Sequence, residues 1–150
     1  MANTYRVWVV AALALITSGC FQSDYAYMKE GESYARQLVQ FVGWQWNADE
    51  LISKADPRML QAFPESEIKK LMSECSTNLG ILQHAEEVVG AVSRETQIPG
   101  KSALYTFDVQ GQKGNATIRV KLQKQDEDWK VLGFWVQIKG PGNPPAQPPK

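Results

Sequence analysis

Ala103-Leu104-Tyr105-Thr106-Phe107-Asp108-Val109-Gln110 and Ala116-Thr117-Ile118-Arg119-Val120-Lys121-Leu122-Gln123 carry the pattern that decides the fold. Side chains on a strand alternate between two faces, so a period of two marks a strand with one buried face. In the second segment Ala116, Ile118, Val120 and Leu122 form the buried set, with Thr117, Arg119 and Lys121 opposite. Tyr105, Phe107 and Val109 continue the buried set in the first segment, and Gly111 to Gly114 closes the hairpin between them. An earlier strand falls within residues 81–96, with a bulge expected near Gly90, and Ile98-Pro99-Gly100-Lys101 makes the next turn. Residues 125–128 turn the chain into a final strand, Trp129 to Lys139.

Upstream of residue 81 the period changes from two to 3.6. Tyr27, Tyr34, Leu38, Phe41, Val42 and Trp46 recur at helical spacing, predicting a first helix over about Tyr25 to Trp46. Gly31 and Gly43 interrupt it at a cost of ~1 kcal/mol each relative to Ala, so packing must hold it. Asn47 with Asp49 and Glu50 starts a second helix, which turns through Ala55 and restarts at the cap Asp56-Pro57. A third follows Phe63-Pro64, carried by Ile68, Leu71, Met72, Cys75 and Leu79, and stops at Asn78 and Gly80. The expectation is an α+β domain, with three N-terminal helices packed on a curved four-stranded antiparallel sheet.

The ending Asp128-Trp129-Lys130-Val131-Leu132-Gly133-Phe134 resembles that of small nuclear-transport-factor-2-like (cystatin-like superfamily) domains. The helix ending Leu79-Gly80 before the first strand is similar to uncharacterised bacterial export-associated families of that superfamily. The resemblance covers residues 25–139 and implies a cone of helices and sheet. Some relatives are isomerases or dehydratases, and many dimerise through the sheet. Its motifs are structural, so it implies a fold more than an activity.

Residues 1–19 have the layout of an export signal: Arg6, then the apolar run Val7 to Ile16, then Thr17, Ser18 and Gly19 before Cys20. No apolar run reaches the ~18–20 residues a membrane-crossing helix needs. The segment resembles the bacterial lipoprotein signal, although Thr17 stands where that family usually has Leu. The resemblance implies a chain cut before Cys20, whose sulfur and new amine are acylated, and a domain held on a membrane of the cell envelope. Each buried acyl methylene contributes ~0.8 kcal/mol to such an anchor. Residues 20–24 read as a tether, and residues 140–150 (GPGNPPAQPPK) as a Pro-rich tail without a core of its own. With Cys20 acylated, Cys75 has no intrachain partner and packs as a small buried hydrophobe. Without acylation, a Cys20–Cys75 disulfide in an oxidising compartment is the alternative.

The sixteen basic and sixteen acidic residues balance, which gives no nucleic-acid footprint. They are unevenly spread: residues 20–95 hold seven bases and twelve acids, residues 96–150 eight bases and four acids. One histidine and one free cysteine cannot supply a structural zinc set, and no phosphate loop, dinucleotide fingerprint or nucleophile elbow is present, so no cofactor is expected. An enzyme reading would draw its acid or base from Asp108, Asp56 or His84. Their plainer roles are a solvated strand residue, a helix cap and a locally bonded histidine. The aromatic set Trp44, Trp46, Tyr105, Phe107 and Trp129 reads chiefly as core.

Binding is the stronger expectation. In the last strand Trp129, Val131 and Trp135 are expected on one face, with Leu132, Phe134, Val136 and Ile138 on the other. The second set, with Arg119 and Lys121, is the expected interface for a partner protein, a small ligand or a second copy, the alternative being that the chain's own N-terminal segment or Pro-rich tail covers it. The alternatives are an isomerase-like or dehydratase-like enzyme with a pocket acid, and a structural envelope component that oligomerises through its sheet.

Overall fold

The computed structural model describes residues 19–93 and 100–140. The expected signal, the turn through Ile98 and Pro99, and the Pro-rich tail beyond Gly140 lie outside the described residues. Among the described residues four helices precede four strands: α1 (Gly19–Gln45), α2 (Ala48–Lys54), α3 (Pro57–Ala62), α4 (Glu65–Leu79), β1 (Leu82–Ser93), β2 (Ser102–Gly111), β3 (Asn115–Gln125) and β4 (Asp128–Lys139). The strands form one open antiparallel meander in the order β1-β2-β3-β4, and the class is α+β as expected. The helices cover one sheet face, where Tyr105, Phe107, Ile118, Val120, Leu122 and Val131 meet the buried residues of the helices.

Three details differ from the expectation. The second helix is two. Asn47 caps α2, its side-chain oxygen accepting from the backbone N–H groups of Asp49 and Glu50. Ala55 and Asp56 are extended, and the Asp56 N–H donates to the Val131 carbonyl at 2.8 Å. The chain therefore leaves the helix for one sheet-like bridge, Ala55 to Val131, before Pro57 starts α3.

The first helix begins earlier than expected. No helix breaker stands between Gly19 and Gly31, so the expected tether of residues 20–24 is continuous with α1. An Asp24–Lys101 ion pair of 2.6 Å ties this end to the sheet, as does the Tyr27 hydroxyl, which donates to the Lys101 carbonyl. The buried stripe is Ala35, Leu38, Val39, Val42 and Trp46, whereas Phe41 and Trp44, expected inside, are 66% and 60% exposed. Both sit a quarter-turn or more off the stripe that meets the sheet. Trp46 closes the helix in the left-handed region (φ 50), where the Asn47 N–H reaches back to the Val42 carbonyl. Its buried indole N–H donates to the Gly80 carbonyl at 2.6 Å, which holds that conformation.

The last strand is not apolar on two faces. Leu122 pairs with Val131 and Lys121 with Gly133, so Leu132 is an unpaired bulge residue. The extra residue switches the alternation, and Trp129 and Val131 before it share the helix-facing side with Phe134 and Val136 after it. Trp135 alone of the large residues turns outward. A second irregularity in β1 falls between Glu87 and Val89, slightly before Gly90.

Candidate functional site

The sheet face away from the helices is built from Leu104, Thr106 and Asp108 of β2, Thr117, Arg119 and Lys121 of β3, and Gly133, Trp135 and Gln137 of β4. Register sets Arg119 opposite Trp135 and Lys121 opposite Gly133. The Trp135 ring folds back over Gly133, where even a Cβ would collide with it, and the indole remains 52% exposed. Thr117, Arg119, Lys121, Trp135 and Gln137 line a groove of about 380 Å³. Such a surface offers a flat apolar platform beside two cations, a hydroxyl and an amide. A second groove, about 310 Å³, lies where Met59, Ala62 and Phe63 meet Leu132 and Phe134, and Trp135 reaches it as well.

Of the six residues expected to form one interface, Arg119 and Lys121 share the outer face. Phe134 is buried in the core, Val136 packs beside it and Leu132 occupies the bulge. Ile138, partly exposed, pairs with buried Ala116 on the helix side. The bulge separates the apolar set from the cations by the thickness of the sheet, and the sequence carried no sign of the switch. What replaces that set is Trp135, which the sequence placed beside Trp129.

The three titratable candidates are not brought together. Asp108 lies on the outer face as expected and accepts from Thr117 at 2.7 Å and Lys139 at 2.8 Å. Partial burial opposes its ionisation, but those two donors outweigh it and the pKa is lowered, opposite to what a proton donor near neutrality needs. His84 is exposed and lies 3.2 Å from Glu86, the next outward residue of its strand. Asp56 is 2% exposed on the helical side, where it caps α3 and accepts hydrogen bonds from Arg58 and Gln125. Among the described residues no group of three or more His, Cys, Asp or Glu side chains could hold a metal ion.

Cys75 lies in the core on α4, free and fully buried, and burial pushes its thiol up to about 12. A thiolate is the reactive form, so this group is chemically silent in the folded chain. In the Cys20→Ala protein, which retains one thiol, a disulfide reagent is expected to label Cys75 only at the rate of unfolding. Labelling in native buffer as fast as that of a free thiol would show an accessible site instead.

A groove of about 670 Å³ runs between α1 and α2 beneath exposed Phe41 and Trp44, with Gln37, Gln40, Gln45 and Asn47 around them. No helix of the described residues is long and apolar enough to cross a membrane. Comparison of the chain with protein-family models, with curated proteins and with solved structures finds no match.

Proposed function

We propose that this chain is an envelope lipoprotein, acylated at Cys20, whose nuclear-transport-factor-2-like domain binds a partner without catalysis. The observation that carries the reading is the continuity of α1 from Gly19 into the folded domain, directly after a lipobox-like sequence. An acyl group on Cys20 would stand about 16 Å of helix from Gly31, a buried position of α1, at 1.5 Å rise per residue. A helix clamped by Asp24–Lys101 and Tyr27 presents the domain to its surroundings in one orientation, which suits a docking module. The surroundings of Asp56, Asp108 and Cys75 support a binding rather than a catalytic reading, because hydrogen bonds leave the two carboxylates weak bases and burial keeps the thiol protonated.

Metabolic labelling with a clickable palmitate analogue tests the anchor. The wild-type chain is expected to take up label and stay with membranes, and Cys20→Ala to lose both. Label that persists in Cys20→Ala, or wild-type protein free in the soluble fraction with an unmodified thiol, overturns it.

A further inference from the structure

We infer that the free edge of β4 accepts an extended peptide as a fifth full strand, and that this peptide alternates apolar and acidic residues. The inference rests on the partner-binding reading above and names the partner's chemistry. It is independent of the anchor.

The edge itself is the first observation. β4 is the last strand of the described sheet, and among the described residues its outer side is bridged by Ala55 at Val131. From Gly133 to Ile138 its described neighbours along the sheet lie on the β3 side alone. Exposed edges are ordinarily guarded by charges, prolines or bulges, because unpaired N–H and C=O groups recruit other strands. Gly133-Phe134-Trp135-Val136-Gln137-Ile138 holds no charge and no proline, and its bulge lies before it at Leu132. The opposite edge, β1, carries His84, Glu86 and Glu87 and then an irregularity. One edge of this sheet is guarded and the other is not.

The second observation is that a groove lies on each face of the sheet beside this edge, the outer one running from β4 over β3 to Leu104 of β2. Met59, Ala62 and Phe63 make the apolar one on the helix side, while Arg119, Lys121 and Trp135 line the cationic one on the outer side. Successive side chains of an added strand point to opposite faces, so one set enters the apolar groove and the next lies over the outer face. An added strand would stand two strand spacings from β3, ~9.6 Å, a gap that an Arg side chain from β3 and a Glu side chain from the peptide close between them over β4. Arg119 has no hydrogen-bond or ion-pair partner among the described residues. A carboxylate on the outward positions of the peptide would supply one, in bidentate geometry. Gly133 leaves the room in which the Trp135 ring lies over the strand.

The test uses the purified full-length protein and fluorescein-labelled ten-residue peptides, read by anisotropy. A peptide alternating valine and glutamate is expected to bind about tenfold or more tightly than one alternating valine and lysine. The double variant Arg119→Glu, Lys121→Glu should reverse that preference, with its melting temperature checked against wild type. Ala62→Arg, which fills the apolar groove, should weaken both peptides. N-methylation of alternate amides on the side facing β4 should abolish binding. Absence of binding by the valine–glutamate peptide overturns the inference, as does binding indifferent to the charge reversal or to N-methylation. A free protein that sediments as a dimer closed to peptide would also overturn it, giving the edge to a second copy. If affinity capture from membranes returns a partner that still binds the charge-reversed double variant, the binding reading stands and the edge is not its site.

Discussion

Asp56→Ala is expected to lower the unfolding free energy by about 3 kcal/mol, among the largest effects of any single polar substitution in this domain. The carboxylate is 2% exposed and engages four donors: the Arg58 backbone N–H at 2.9 Å, Arg58 Nε at 2.7 Å, Arg58 Nη2 at 2.9 Å and Gln125 Nε2 at 2.6 Å. Arg58 also donates to the side-chain oxygen of buried Gln123 at 2.7 Å, so one carboxylate ties the start of α3 to the end of β3. Loss of the cap alone costs ~1 kcal/mol. The rest comes from Gln123 and Gln125, which lose their ordered partners. Arg58 is largely exposed and can turn to water, which keeps the cost below that of orphaning a fully buried charge. Asp56→Asn, which can still cap, should lose roughly half as much.

The same group makes stability fall in acid. Hydrogen bonds from Arg58 hold the Asp56 carboxyl down to about 2, against 3.8 for the unperturbed group. Because the folded value is the lower one, this contribution is complete above the unfolded pKa. It is lost as pH falls through 3.8 towards 2, and amounts to about 2 kcal/mol. Asp108 and Glu30 are shifted in the same direction, so the informative quantity is the difference between proteins. Urea unfolding of wild type and Asp56→Ala should show curves that converge between pH 4 and pH 2. Parallel curves over that range would show that the network does not depend on the carboxylate charge.

Gly31→Ala should destabilise the domain by about 2 kcal/mol, although alanine is favoured over glycine inside a helix by ~1 kcal/mol. At Gly31 α1 passes close to the sheet, and a Cβ there would overlap the Tyr105 hydroxyl and crowd the Trp129 ring. The hydroxyl has little freedom to withdraw. Tyr105 is 1% exposed, and its O–H donates to the Met28 carbonyl at 2.8 Å. The helix must lift, and the Tyr27–Trp129 contact at 4.8 Å between ring centres loosens with it. Tyr105→Phe removes the atom that collides, so the double variant should be more stable than the sum of the two single losses predicts. Strict additivity, or a more stable Gly31→Ala, would mean that the approach is looser than described. Gly43→Ala meets the flexible Leu82 side chain instead, and the same logic gives it a smaller cost.

Those glycines mark where local reasoning stops. Read along the chain, Gly31 and Gly43 are only weak points of a helix. That they are contact points follows from which residues lie opposite, 74 positions away in the case of Gly31 and Tyr105. The same holds for Phe41 and Trp44, whose helical spacing fits a buried stripe nearly as well as Leu38 and Val42 do. Only the angle at which α1 meets the sheet chooses between stripes. In β4 one unpaired residue reverses the outcome for Phe134 and Trp135 at once, because a shift of one position moves every later side chain to the other face.

What the chain determined by itself is its element types and their punctuation: the period of two in β2 and β3, the caps at Asn47 and Asp56, and the stop at Gly80 with φ 64. These are effects within a few residues, where sterics and hydrogen bonding act on neighbours in sequence. The exposure of Phe41 and Trp44, the phase of β4 and the unguarded edge were decided by the tertiary structure. Each depends on a pairing between residues far apart, and free energy gained across the sheet outweighs the local preferences that the sequence displays.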